Sequence, residues 1–357
     1  MTGNPKAHKG RGAISNTDSR YDAYQREAVD DGWPADDDAS CGPATTVSVD
    51  ATRTVIARNS SPDVPFEQSI NPYRGCEHGC VYCFARPTHA YLGLSPGLDF
   101  ETRLFCKPDA PRLLQAELDR AAYRCQVLAL GANTDCYQPV ERRWRITRGI
   151  LETLAAYHHP VSIVTKSALV ERDIDVLAPM AESGLVQVNV SVTTLDPALA
   201  RRLEPRAAAP HRRLQTIERL ARAGIPTGVL MAPIIPVLTD AEVEGILRAA
   251  AEGGAGFAGY VLLRLPLEVR DLFKEWLQTH APLKAAHVMS QVRGAREGRE
   301  NDARFGTRMR GNGAYAELIG RRFDVARRRF GLASSGPALR TDLFRRPARS
   351  GDQLALL

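Results

Sequence analysis

From residue 67 to about residue 280 the chain alternates short apolar runs with longer stretches of helical period. The apolar runs 68–71, 126–130, 161–165, 186–193, 226–231 and 260–265 are too short for helices and several are rich in Val and Ile, which predicts strands covered on both faces. Between and after them, 111–122, 146–157, 171–182, 211–223, 240–250 and 267–279 repeat apolar residues every three to four positions and predict amphipathic helices. Strand and helix in strict alternation predict a parallel sheet with helices outside it. Six such units make an α/β fold, a partial TIM barrel (β/α)6, in which right-handed crossovers bring every strand's C-terminal end to one face. Gly253 to Gly256 ends a helical stretch before a strand and is read as a helix cap, not a phosphate loop.

Both flanks differ from this middle. Residues 1–58 are polar, with an acidic run at Asp30, Asp31 and Asp36 to Asp38, and predict an N-terminal arm that orders only by docking, apart from a β-type alternation over 52–57. Asn59 to Pro65 breaks that pattern as a loop. The barrel is assigned to 59–280 and a basic C-terminal extension to 281–357: a loop around Gly306 to Gly313, a helix over 315–330 placed under or over the barrel opening, and a tail.

Charge adds one feature. The net charge is +6, yet the segment from Met289 to Leu357 holds 15 Arg against 7 Asp or Glu, so the remainder is slightly acidic. Arg293, Arg296, Arg299, Arg304, Arg308, Arg310, Arg321, Arg322 and Arg327 to Arg329 are then candidates for a phosphate-binding surface, or simply a solvated arginine-rich face. No apolar run approaches the roughly 18 residues of a transmembrane helix and no signal segment is legible, so the expected compartment is the cytoplasm, with no membrane partner.

The chemistry concentrates in one loop, Asn71-Pro-Tyr-Arg-Gly-Cys76-Glu-His-Gly-Cys80-Val-Tyr-Cys83-Phe84. Three thiolates at Cys-x3-Cys-x2-Cys spacing can ligate three irons of a cubane cluster, with Gly75 and Gly79 letting the backbone curl. With no fourth cysteine nearby, one iron stays open, as catalytic metals require. A zinc site completed by His78 or Cys106 is the structural alternative, without the second ligand knuckle that such sites usually have. Seven cysteines, an odd number, argue against a disulfide framework. Cys41, Cys106, Cys125 and Cys136 lack cluster spacing, so a single cluster is expected, with Cys125 buried at a strand start.

This spacing, with Tyr82 before the third cysteine, resembles the signature of the radical S-adenosylmethionine superfamily. Gly131-Ala-Asn-Thr-Asp135-Cys-Tyr-Gln-Pro139-Val-Glu141, Thr165-Lys166-Ser167, Val188-Asn-Val-Ser191-Val-Thr-Thr194, Leu203-Glu-Pro-Arg206 and Ala232-Pro-Ile-Ile-Pro236 resemble strand-end motifs of its spore photoproduct lyase-related (SplB-like, "DNA repair photolyase") group. The stretch 69–93 and Gly306-Thr-Arg-Met-Arg-Gly resemble a bacterial subfamily of that group.

The resemblance implies a [4Fe-4S] cluster on Cys76, Cys80 and Cys83, reductive cleavage of S-adenosylmethionine to a 5′-deoxyadenosyl radical, hydrogen abstraction from a substrate, and a flavodoxin- or ferredoxin-type electron donor. It places Lys166 and Ser191 at positions that contact S-adenosylmethionine, and Thr134 with Asp135 at the polar pair after the second barrel strand. The chemistry of the cofactor agrees: its carboxylate wants a cation such as Lys166, its ribose polar partners such as Ser191, Thr134 or Asp135, and its adenine an apolar slot beside Phe84.

The lyase group carries a hydrogen-donating cysteine shortly before the polar pair, where this chain has Ala132; Cys136, four residues on, is the candidate replacement. Cys136 and Tyr137 are the catalytic candidates. Gln138, Glu141, Arg86, His89 and Tyr91 either face the substrate or form a network that braces the loop. Nucleic acid is the favoured substrate class. The alternatives are a small-molecule or peptide substrate, and a non-catalytic iron-sulfur or zinc binding module.

Overall fold

The structure is a computed structural model that describes residues 7–21 and 44–347. Its main sheet has seven strands in the order β10-β9-β8-β7-β6-β3-β2. β3 (Gln68–Ile70), β6 (Leu128–Leu130), β7 (Val161–Thr165), β8 (Val186–Ser191), β9 (Thr227–Ile234) and β10 (Phe257–Leu262) are parallel, and β2 (Ile56–Arg58) closes one edge antiparallel to β3. The two edges do not pair with each other, so the sheet is an open, partial barrel.

Burial explains these elements. In β7 the pattern alternates, with Val161, Ile163 and Thr165 buried, while β3 and β6 are buried throughout. The helix Ile146–Ala156 turns Ile146, Ile150, Leu151 and Leu154 onto the sheet, each at most a few per cent exposed. Each such side chain removed from water contributes roughly 1.5–3 kcal/mol. Helices Ala110–Leu118, Ile174–Glu182, Pro210–Arg222 and Val243–Glu252 do the same around the arc, while Val269–His280 packs in a separate cluster with Val81, Tyr82 and the helix Pro282–Gly294. Gly253 caps the helix Val243–Glu252 ahead of β10, as the sequence suggests.

The flanks are more integrated than their composition predicts. β1 (Thr46–Val49) pairs in parallel with β5 (Arg103–Cys106), which pairs antiparallel with β4 (Tyr73–Arg74) in a second, three-stranded sheet. Residues 46–58, expected in the arm, therefore supply a strand to each sheet. Residues 11–14 are buried against the cysteine loop. At the other end the helix Gly313–Arg329 lies neither under nor over the barrel opening. It packs beside the helix Val243–Glu252, and Phe323 meets Tyr260 of β10 with ring centroids 4.6 Å apart. The acidic run at 30–38 and Cys41 lie outside the described residues. No helix among the described residues is long and apolar enough to cross a membrane.

Candidate active site

The cysteine loop follows β3 and β4 at the C-terminal edge of the sheet, and its backbone is held almost entirely by buried groups. Gly75 and Gly79 have φ of 76° and 66°, a left-handed turn at each end of the first half of the loop that a side chain would strain. Cys76 N–H donates to Phe100 O at 2.9 Å and Val81 N–H to Leu203 O at 3.1 Å. The Gln138 amide bridges the loop, accepting from Glu77 N–H at 2.8 Å and donating to Gly75 O at 3.1 Å. Arg86, fully buried, donates to Cys80 O at 2.9 Å and Gly79 O at 3.2 Å, and pairs with the equally buried Glu101. Glu101 Oε2 takes Gly12 N–H at 2.9 Å, and Oε1, the oxygen that meets Arg86, takes Ala13 N–H at 2.8 Å from the docked N-terminal segment. A Cβ on Gly12 would lie 1.7 Å from Gly79 O, so only glycine lets this segment reach the loop.

Cys76 and Cys80 are buried, Cys83 is half-buried, and all three are free thiols. Burial pushes the Cys76 thiol well up, with Asp135 and the other two cysteines adding repulsion against a second negative charge. Burial likewise pushes Cys80 up to about 12, with Glu204 and Cys83 reinforcing it and Lys166 opposing it. The three sulfurs thus share one electrostatic space that disfavours thiolates until a cation compensates them, which is the condition for metal binding with proton release. Among the described residues no group of three or more His, Cys, Asp and Glu side chains is gathered tightly enough to cage a single metal ion. Thiolates that serve separate irons of a cluster stand further apart, and the donor set fits that group.

Across from the loop, Lys166 at the end of β7 donates from Nζ to Ser191 Oγ at 2.9 Å and to Ala232 O at 3.3 Å, over the Tyr82 ring at 5.8 Å. The structure brings Lys166 and Ser191 together beside the loop. Asp135 stands below them: Thr165 Oγ1 and Tyr137 N–H donate to one oxygen, Lys166 N–H to the other at 2.7 Å, and His78 Nδ1 lies 3.3 Å from that same oxygen. Burial alone would raise its pKa; His78 and these hydrogen bonds hold it at about 2.

Two groups had no assigned role in the sequence. Glu204 is buried and accepts from Tyr82 Oη, from Thr193 Oγ1 at 2.7 Å and from Arg213. Burial would raise it, but Arg213 and Lys166 keep its pKa at about 2. Arg213, itself buried, also donates to Ser191 O at 3.0 Å and Ala208 O at 2.7 Å. This pair fixes the strand end that carries Ser191 and the aromatic residue between Cys80 and Cys83. The Leu203-Glu-Pro-Arg206 motif pointed to Glu204, but nothing in the linear chain pointed to Arg213.

Other expected residues fall elsewhere. Cys136 is fully buried in the apolar core, and Tyr137, equally buried, donates from Oη to Asp173 at 3.0 Å. The Cys136 thiol is enclosed by the core, whereas Tyr137, its hydroxyl turned to Asp173, also lines the cavity beside His78. Glu141 accepts from Tyr73 Oη, Thr147 N–H and Arg172, and His89 Nε2 meets Arg103 O at 2.9 Å. With Arg86 and Gln138 these residues form the bracing network, and of that group only Tyr91 is exposed. The Thr134 hydroxyl donates to Tyr73 O at 2.8 Å and is likewise inward. Phe84 is 46% exposed at the site's edge, with the Arg264 guanidinium 5.7 Å from its ring centre.

The comparisons with known proteins agree with this geometry. The sequence model of the Radical SAM superfamily matches residues 70–250, just over half of the chain, and the protein belongs to that superfamily. A Mycobacterium tuberculosis protein described as uncharacterized, Rv2578c, is 40% identical over 221 residues, covering 61% of this chain and 65% of the relative. MJ0683 of Methanocaldococcus jannaschii, described likewise, is 27% identical over 173 residues, covering 48% of this chain and 62% of that one. The chain thus spans about 65% of the length of the mycobacterial relatives it matches. Among solved structures, spore photoproduct lyase complexed with dinucleoside spore photoproduct superposes with a TM-score of 0.56 at 15% identity, over 80% of each chain. A variant of that lyase with bound AdoMet and the same photoproduct gives 0.55, also at 15% identity and over 80% of each chain. At this identity the likeness is one of fold.

Proposed function

We propose that this protein is a radical S-adenosylmethionine enzyme in which Cys76, Cys80 and Cys83 hold a [4Fe-4S] cluster and the cofactor lies between that loop and the ends of β7 to β9. One observation carries the reading: three thiols on one braced loop, their ionisation disfavoured by burial, stand beside a Lys166–Ser191 pair whose ammonium makes no ion pair with a carboxylate among the described residues. When bound, the cluster and S-adenosylmethionine supply a one-electron cleavage that yields a carbon-centred radical. The chain's own residues bind, orient and shield. Lys166 offers its ammonium to the cofactor carboxylate, and Ser191 its hydroxyl to the ribose. Asp135 is full of donors and acts on Lys166 through the backbone, not on the cofactor. Phe84 and Arg264 frame the open side. The docked segment around Gly12 and the Arg86–Glu101 pair hold the loop's outer side.

The substrate donates a hydrogen atom from carbon. By analogy with the dinucleoside bound in the lyase complexes, a nucleotide-bearing substrate is the first class to try, and a flavodoxin- or ferredoxin-type protein the first donor. Lys166→Ala tests the cofactor assignment directly. It should retain iron after reconstitution yet bind S-adenosylmethionine about tenfold more weakly or worse, the loss of one charge-assisted contact. Unchanged affinity in a calorimetric titration removes Lys166 from the site. Cys80→Ala should retain the fold and lose the cluster, and a variant with full iron content would defeat the ligand set.

A further inference from the structure

Between the loops that follow β6, β7 and β8 lies a cavity of about 450 Å³, a size suited to a small ligand or one part of a larger one. Four arginines line it, Arg142, Arg172, Arg206 and Arg212, and no carboxylate does. Their acidic partners stand behind the wall. Arg172 pairs with Glu141 and Asp173, both fully buried, Arg206 with Glu77 at 3.2 Å, and Arg212 with Glu171 at 2.7 Å. These contacts orient the guanidiniums: Arg172 is bonded through all three of its nitrogens, whereas Arg206 and Arg212 are held through Nη2 alone. Arg212 Nη1 is buried with no hydrogen-bond partner, and the Arg142 side chain has no ion-pair or hydrogen-bond partner among the described residues. His78 completes the wall from within the cysteine loop itself.

Guanidiniums held from behind recognise oxyanions through paired N–H donors, and several around one space match a multiply charged group better than a single carboxylate. We propose that this cavity is an anion subsite that takes a phosphate or pyrophosphate group of the substrate and anchors it beside the cysteine loop. Binding of the anion stands on the cavity alone; its assignment to the substrate rests on the radical-enzyme reading above. His78 spans the two sites: its ring shares the cavity wall, while Nδ1 lies 3.3 Å from the Asp135 oxygen that takes Lys166 N–H.

The test is calorimetric titration of the full chain with inorganic pyrophosphate at fixed ionic strength, with citrate as a carboxylate control. Saturable binding of pyrophosphate, tighter than citrate, is expected. Arg142→Gln breaks no ion pair and should weaken it about tenfold, as loss of one charge-assisted contact does. Arg206→Gln with Arg212→Gln should abolish it, and thermal melting checks that this double variant folds. Binding that is absent in the wild type, equal for citrate, or unchanged in Arg142→Gln overturns the subsite. Competition by S-adenosylmethionine in the reconstituted protein would overturn the substrate assignment, because the cavity would then belong to the cofactor. Displacement of pyrophosphate by a 5′-phosphorylated dinucleotide or by a dinucleoside phosphodiester supports the subsite either way and tells a terminal phosphate from a backbone one. None of these readouts needs cofactor cleavage, so failure here leaves the radical chemistry to its own test.

Discussion

Two regions of this molecule are rich in arginine, and they use it in opposite ways. In the C-terminal segment, where the sequence is most basic, most guanidiniums turn inward or pair locally. Arg296 is buried and donates to four carbonyls, among them Leu263 O at 2.9 Å and Arg308 O at 2.9 Å. Arg308 pairs with Asp63, Arg304 with Asp302 and Glu297, Arg322 with Glu244 at 2.7 Å, and Arg310 lies 3.8 Å from the centre of the Tyr260 ring. Around the cavity beside the cysteine loop, three of the four arginines have carboxylates behind them, and the side chain of the fourth, Arg142, has no partner among the described residues. Charge summed along a sequence measures what a segment contains. The position of the counter-charges decides what it presents.

The sharpest way to break the comparison is at the buried braces. Arg213→Met would leave Glu204 buried without its cation, at a cost of about 3–5 kcal/mol by the usual penalty for removing one partner of such a pair. Urea unfolding should show it, and a loss under about 1 kcal/mol would mean that the pair does not hold the site. The same carboxylate predicts a pH dependence. Its folded pKa, about 2, lies below the ordinary glutamate value of 4.5, so its stabilising contribution is complete above pH 4.5 and lost as pH falls from there towards 2. Acid unfolding curves should show that slope in the wild type and its loss in Glu204→Gln.

Next in size, Arg296→Met strips partners from four buried carbonyls and should cost about 2–3 kcal/mol in the same assay. It should leave pyrophosphate binding intact. At the cavity the expected pattern reverses, since Arg142→Gln should change stability by less than about 0.5 kcal/mol yet weaken the anion. Smallest of all, Arg321→Gln with Arg328→Gln, on the exposed face of the C-terminal helix, should move neither stability beyond about 0.5 kcal/mol nor pyrophosphate affinity. If this last pair weakened binding more than Arg142→Gln, the two regions would have exchanged roles.

Much of the fold was legible because its signal is local. The run 161–165 is strand β7 to the residue, and the helix expected at 146–157 differs by one position at its end. The last strand was placed three residues late, since Gly253 to Gly256 and Gly259 masked a start at Phe257. The helix Pro282–Gly294 was missed altogether, its apolar residues spread too evenly to make a clear stripe. At the site, Cys76, Cys80, Cys83, Lys166 and Ser191 were legible because each sits in a compact motif at a strand end. Glu204 with Arg213, and Glu101 with Gly12 some 89 residues away, acquire meaning only through contact in space. Cys136 and Tyr137 lie in a true strand-end motif, but both side chains are buried, Cys136 in the core and Tyr137 between the core and the cavity wall.

The central claim, that the braced cysteine loop and the Lys166–Ser191 pair form one radical-generating site, is tested most directly by anaerobic reconstitution with iron and sulfide. The reduced protein is then followed by electron paramagnetic resonance with and without S-adenosylmethionine, and its products by chromatography. The account predicts a cluster signal that shifts when S-adenosylmethionine is added, together with accumulation of 5′-deoxyadenosine. Zinc in the loop after metal competition, or a cluster whose signal ignores S-adenosylmethionine and which yields no 5′-deoxyadenosine, would contradict it.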